Sequence, residues 1–260
     1  MSNDTIIFPS SRPDRPARAV QAARNVWRAA IGLVYPRECI ACGIGLSPTA
    51  RAEICLKCEA DIRYIGTDCC PKCGFPFGPH VGRERAACPE CRPGFFFHRA
   101  IAVWRYGGPG RDIILRWKYQ GVFAAQDILV RRLADRVAAE DFAGGIDLLV
   151  CVPMHWRRRL ARRFNQAQLL AQGVARELSI PYSPRVLVRV RNTPSQVGLS
   201  GPERIRNVRG AFRVRRPRPL QNKAVLLIDD VVTTCATASE CARALRRAGA
   251  RAVYVASVAR

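Results

Sequence analysis

The sequence predicts an α/β domain built on a mostly parallel sheet with flanking helices, preceded by a small unit stapled by metal. Three observations carry this expectation. Eight cysteines form two quartets between Cys39 and Cys91. Beyond residue 95, short apolar runs alternate with amphipathic ones. One of those runs ends in two adjacent acids, followed by a hydroxyl-rich turn.

The chain has 260 residues, 48% hydrophobic and 24% charged, which is the balance of a globular protein with room for a second, smaller unit. Its 43 basic and 20 acidic residues leave a formal charge of +23, nearly all of it from arginine. Such a surface attracts polyanions: nucleic acid, nucleotide phosphates or pyrophosphate. Arginine-rich genome composition accounts for part of the same excess. No secretory signal is expected, because Ile6-Ile7-Phe8 is cut short by Pro9, Pro13 and Pro16. No membrane span is expected either. The apolar stretch Ala29 to Tyr35 is far shorter than the ~20 residues a spanning helix needs. Twelve cysteines without a signal peptide point to metal or reduced thiols, and so to a cytoplasmic protein.

Residues 1–16 read as disordered, being polar and proline-punctuated. Residues 17–35 read as an amphipathic helix, with Val20, Ala23, Ala30 and Ile31 on one face and Arg18, Arg24 and Arg28 on another, stopped by Pro36. Residues 36–94 form the metal-stapled unit. Cys39 and Cys42 pair with Cys55 and Cys58 across twelve residues; Cys70 and Cys73 pair with Cys88 and Cys91 across fourteen. Two residues between cysteines let both sulfurs face one ion, and two such turns complete a tetrahedron. Gly43 and Gly74 follow the first pair of each quartet, where a positive φ lets backbone amides point at the sulfurs. Four thiolates with no open position make a structural zinc site, so the unit is a double zinc ribbon holding two ions. Iron–sulfur ligation fits less well, since its runs place three cysteines close together. Cys69 stands beside Cys70 as a spare that sequence alone does not separate from it. Cys151 and Cys241 are expected in the core. Arg63, Lys72, Arg83, Arg85, Arg92 and Arg99 give the ribbon a basic face suited to nucleic acid; a solvated surface explains them equally.

In the second domain, residues 95–260, strands are expected at Ala100 to Tyr106, Ile146 to Val152, Val225 to Ile228 and Ala252 to Val258. Helices are expected at Asp112 to Tyr119, Asp127 to Ala139, Asn165 to Leu178 with Asn165 as N-cap, and Thr237 to Ala248. Residues 193–209 lack apolar periodicity and read as a mobile hood.

The most informative stretch runs from Val225 through Asp229, Asp230, Thr233, Thr234, Cys235 and Ala236 to Thr237. A helix N-terminus after a strand's carboxyl end offers free N–H groups to a phosphate. Threonine hydroxyls add donors. The acids cannot serve the phosphate, but they suit neighbouring ribose hydroxyls or a Mg²⁺ held by the same ligand. The loop therefore asks for a sugar phosphate. An N-capped helix after an exposed strand end explains one threonine, not three with paired acids.

With these residues on view, the chain resembles the ComF family of competence-associated, phosphoribosyltransferase-like proteins. The resemblance runs from about Tyr35 to Arg260. It takes in both cysteine quartets, Val152-Pro153-Met154-His155, Arg162 to Gln166, Thr193 with Gln196, Leu199 and Ser200, Glu203-Arg204, Asn207, and Ala211-Phe212. It implies a type I phosphoribosyltransferase-like sheet. It also implies that residues 229–237 grip the phosphate and ribose of phosphoribosyl pyrophosphate, with Mg²⁺, and that Met154, His155, Arg157 and Lys118 serve the pyrophosphate. A solvated basic turn explains Arg157 to Arg159 almost as well, and a hydrogen-bonding role is the simpler one for His155. No side chain is assigned as catalytic base. Two residues depart from the family pattern: Cys235 and Arg163 stand where glycines are usual. A non-glycine residue forced into that turn costs about 1–3 kcal/mol. The activity implied is transfer of phosphoribose to an acceptor, a glycosyltransferase reaction, in DNA uptake or nucleotide metabolism. The competing expectation is a non-catalytic competence factor holding single-stranded DNA or a helicase.

Overall fold

The computed structural model describes residues 37–47, 52–77, 88, 90–91, 94–121, 124–155, 164–194, 198–215 and 217–260. The expected disorder at 1–16, the helix at 17–35, Arg83, Arg85, Arg92, Arg157, Arg162, Arg163 and Gln196 lie outside them.

Helix α1 (Leu56–Asp61) belongs to the ribbon. The α/β domain follows as β1 (Arg99–Trp104), α2 (Gly108–Tyr119), α3 (Ala124–Ala138), β2 (Leu148–Cys151), α4 (Gln166–Glu177), β3 (Leu187–Arg189), α5 (Gly201–Val208), β4 (Phe212–Val214), β5 (Ala224–Val231), α6 (Ala236–Arg247) and β6 (Ala252–Ala259). Four strands form one sheet in the order β1-β6-β5-β2, every pair parallel. Strands buried on both faces read as continuous apolar runs. Accordingly Val225, Leu226, Leu227 and Ile228 of β5 are fully buried, as are Val253, Val255, Ala256 and Val258 of β6. Burial on β5 ends at Asp229, where the chain leaves the core.

Helix α4 buries one apolar stripe. Ala167, Leu170, Ala171 and Val174 face inward, while Leu169 and Leu178 pack at the margin. Asn165 occupies the N-cap position of α4, yet its side chain caps nothing. It donates instead to the Val152 carbonyl at 3.1 Å, tying the start of α4 to the end of β2. Cys151 and Cys241 are buried in the core, as expected.

The hood carries more order than its lack of periodicity suggests. α5 forms within residues 193–209, flanked in the chain by β3 and β4, which pair antiparallel as a separate two-stranded sheet. The start of α5 is a capping box: the Glu203 carboxylate accepts from Ser200 N at 2.7 Å, and the Ser200 side chain accepts from the Glu203 amide. Hydrogen bonds from Ser200 hold the Glu203 carboxyl below the usual carboxylate range.

Ribbon and sheet share one core. Residues 63–65 run antiparallel to β1, with Ile65 N donating to the Val103 carbonyl at 2.8 Å and Arg105 N to the Arg63 carbonyl at 2.8 Å. Among the described residues, no helix is long and apolar enough to cross a membrane.

Candidate functional site

The two cysteine quartets assemble as two clusters. Within each, the four sulfurs lie within 4.8 Å of one another: Cys39, Cys42, Cys55 and Cys58 in the first, Cys70, Cys73, Cys88 and Cys91 in the second. Gly43 and Gly74 take φ of +79° and +68°, turning each knuckle back toward its sulfurs. Backbone amides then reach the sulfurs: Cys55 N lies 3.3 Å from Cys39 Sγ, and Cys73 N 3.5 Å from Cys70 Sγ. Four converging sulfurs with amide donors and no fifth position fit a closed structural zinc site. Cys69 is separated from the set, its thiol donating to the Gly66 carbonyl at 3.5 Å. Of the expected basic face, Arg63 is exposed. Lys72 is spent on the Phe97 carbonyl, and Arg99 pairs with Glu140 at 2.9 Å.

At the carboxyl end of β5 the chain turns through Thr233 and Thr234 into α6. The turn is made by Cys235, which adopts a left-handed φ of 57° and ψ of 4°. No side chain caps α6, and no acid occupies its first turn. Its leading amides and the positive end of its dipole therefore face the loop. Asp229, Val231 and residues 232–238 wall a small hollow there. The Cys235 sulfur does not crowd that hollow unopposed: it meets the Arg260 guanidinium, with Nη1 at 2.7 Å.

The acids continue into a wider cleft of about 310 Å³, lined among others by Lys118, Met154, Gln166, Arg189, Asp230 and Thr237. Lys118 Nζ lies 2.5 Å from Asp230 Oδ2. Asp229 Oδ1 accepts from Asp230 N at 2.9 Å. Burial, and then the neighbouring charge of Asp230, push the Asp229 carboxyl well above the usual range. Met154 is on the cleft wall; His155 is 5% exposed and is not part of that lining.

Three residues join the site that residue-by-residue reading did not assign to it. Arg204 of α5 reaches the loop between β5 and α6, donating from Nη1 to Thr233 Oγ1 at 2.6 Å and from Nε to the Leu199 carbonyl at 2.9 Å. Its capping box was legible as Ser-x-x-Glu; its reach was not. Arg189 comes from β3, too short a strand to announce itself. Gln166 is 2% exposed on the cleft wall, and among the described residues its Nε2 has no acceptor. A buried amide donor without a partner is costly, and an acceptor entering the cleft would relieve it.

Residues 30–97 match the model of the double zinc ribbon domain. Over 226 residues the chain is 33% identical to the DNA utilization protein YhgH of Escherichia coli (strain K12), covering 86% of this chain and 96% of that one. It is 29% identical over 220 residues to Competence protein F of Haemophilus influenzae, covering 79% of this chain and 96% of that protein. Among solved structures, the glutamine phosphoribosylpyrophosphate amidotransferase of B. subtilis aligns at a TM-score of 0.38 and 21% identity, over 55% of this chain and 30% of that one. That distant likeness adds nothing to the topology described above. Nearly full-length similarity to YhgH, together with two four-cysteine clusters ahead of a parallel sheet, establishes that the chain belongs to the ComF/YhgH family of proteins with an N-terminal double zinc ribbon.

Proposed function

We propose that the cleft beyond β5 binds phosphoribosyl pyrophosphate, or another ribose 5-phosphate, with Mg²⁺, and that its chemistry is phosphoribosyl transfer to an acceptor. The observation that carries this reading is the turn at Cys235, which delivers an uncapped helix N-terminus beside two acids on one cleft wall. Amides of Ala236 and Thr237 and the hydroxyls of Thr233, Thr234 and Thr237 would hold the 5-phosphate. Asp229 and Asp230 would accept from the ribose hydroxyls and offer the oxygen donors that Mg²⁺ prefers. Lys118, at the same wall as Met154, would face the pyrophosphate.

Transfer of this kind needs stabilisation of an oxocarbenium-like ribose and of the departing pyrophosphate more than it needs a base. Mg²⁺ supplies charge neutralisation on the leaving group. The protein's part is to hold the sugar between a phosphate anchor and two carboxylates. Calorimetric titration of the zinc-loaded chain with phosphoribosyl pyrophosphate and Mg²⁺ tests this. Saturable binding of one ligand per chain is expected; none at all rejects the reading.

A second reading makes the chain a non-catalytic factor for single-stranded DNA or a helicase, in DNA uptake. The relatives' names, DNA utilization and competence, point that way. So does a groove lined by Phe95, Phe96, Ile205, Arg209 and Arg243, where Phe96 is 42% exposed and the Arg243 guanidinium stands 6.0 Å from its ring centroid. An exposed ring beside arginines is a platform for a base. Oligonucleotide binding that weakens steeply with salt is expected on this reading, and a flat response removes it. Eight thiolate ligands suit a reducing, cytoplasmic compartment under either reading.

A further inference from the structure

The second cysteine cluster and the loop at the end of β5 meet at one side chain. Arg260 follows β6, and β1 and the residues just after it fix its backbone on both sides: its amide donates to the Trp104 carbonyl at 3.1 Å, and its carbonyl accepts from Tyr106 N at 2.7 Å. The guanidinium runs inward across the Phe75 ring, 5.7 Å from the centroid, and ends between two sulfurs. Nη1 lies 2.7 Å from Cys235 Sγ; Nη2 lies 3.3 Å from Cys73 Sγ. Cys235 is the left-handed residue that turns the loop into α6. Cys73 is a member of the second cluster.

A planar guanidinium presents its donors in a rigid fork, so two acceptors on one fork are held at a set separation. It also keeps its charge when buried and therefore needs a compensating partner. A zinc-bound cysteine supplies one: a thiolate whose position three other ligands fix. At position 235 glycine would adopt the same φ without strain but would give Arg260 nothing to hold. Cysteine accepts the strain and provides the acceptor.

We propose that Arg260 is a positioning residue that couples metal occupancy of the second cysteine cluster to the geometry of the phosphate loop. Zinc holds Cys73, Cys73 holds the guanidinium, and the guanidinium holds Cys235 in the turn that aims the first amides of α6. The second ribbon is thereby part of the loop's scaffold rather than a separate module. Only the last link, the effect on a ligand, rests on the ribose-phosphate reading above.

The test follows the cysteines one by one. Zinc-loaded wild-type chain is exposed to N-ethylmaleimide with and without excess chelator, and modification at each cysteine is timed by peptide mass mapping. Cys235 is expected to stay protected while zinc is bound and, under chelation, to react on the time course of Cys73 and Cys91. Reaction of Cys235 with the first cluster's time course, or protection that outlasts loss of the second cluster, overturns the coupling. Arg260→Met, checked to retain two zinc ions, should expose Cys235 at least tenfold faster without chelator. Arg260→Lys should do so to a lesser degree, and Arg251→Met, at an exposed arginine paired with Asp147 at 3.6 Å, not at all. An unchanged rate in zinc-loaded Arg260→Met also overturns it. Titration with ribose 5-phosphate closes the experiment, with about a tenfold weaker affinity expected in Arg260→Met. If the wild-type chain binds no ribose 5-phosphate while Cys235 still follows the second cluster, the ligand reading fails and the coupling stands.

Discussion

Lys118 Nζ and Asp230 Oδ2 lie 2.5 Å apart on one wall of the cleft, their side chains only 14% and 20% exposed. The pair joins the last turn of α2 to the end of β5 and sets the charge that an incoming anion meets. Without the ammonium, the Asp230 carboxyl group stands unopposed on the wall where the pyrophosphate is proposed to lie. Lys118→Met is therefore expected to weaken phosphoribosyl pyrophosphate binding by about tenfold or more, equivalent to about 1.4 kcal/mol per factor of ten. Calorimetry measures it, and an unchanged affinity would put Lys118 outside the site.

Asp229 provides a pH prediction. Its carboxyl is raised in the folded chain by burial and then by Asp230, so the folded state keeps a proton that the unfolded state has released. The contribution to stability is complete at acid pH, below the unfolded carboxyl's range, and is lost as pH rises toward the folded value. The slope reaches at most ~1.4 kcal/mol per pH unit for one proton. Asp229→Asn, which cannot ionise, should gain stability relative to wild type as pH rises above about 4, measured by denaturant unfolding. It should also lose ribose-phosphate binding. Parallel stability profiles in the two proteins would mean that Asp229 is ionised in the fold.

Arg204 links α5 to the loop after β5 through Thr233. Arg204→Met removes a charge-assisted contact at the rim of the loop, and a three- to tenfold loss of ribose 5-phosphate affinity is expected, about 1 kcal/mol. Zinc content should remain two per chain. Full affinity in the variant would reduce Arg204 to a hood-packing residue.

Gly74 tests how tightly the second ribbon is built onto the sheet. Its φ is +68°, and a Cβ there would stand 2.5 Å from the Ala100 carbonyl oxygen. That carbonyl cannot retreat freely, because Ala100 lies in β1 in register with Val255 of β6. Gly74→Ala should cost about 2 kcal/mol or more and release zinc from the second cluster first. Gly45→Ala, where the added Cβ meets nothing within 4 Å, is the matched control and should be near neutral. Thermal unfolding with zinc release followed by a chromogenic chelator reads both.

Much of this geometry was legible because its features are local. The run Val225 to Ile228 reads as a buried strand, since a fully covered parallel strand has no polar face to interrupt it. The acids at its end and the threonines beyond follow from chain order alone. β3 and β4, three residues each, carry no period long enough to register, and their pairing depends on segments far apart in the chain. Asn165 shows the limit in miniature: the residue type suits a cap, but a nearer carbonyl at Val152 takes its amide.

Read alone, the chain determined the two four-cysteine sites, the family resemblance and the acid–threonine turn after β5, because knuckles, strand ends and helix starts are decided by neighbours a few residues away. Only the folded molecule decided that Lys118 answers Asp230, and that Arg260 reaches both Cys235 and, 187 positions distant, Cys73. Those contacts are set by how β1, β6 and the ribbon pack, and packing brings together residues whose separation along the chain carries no signal.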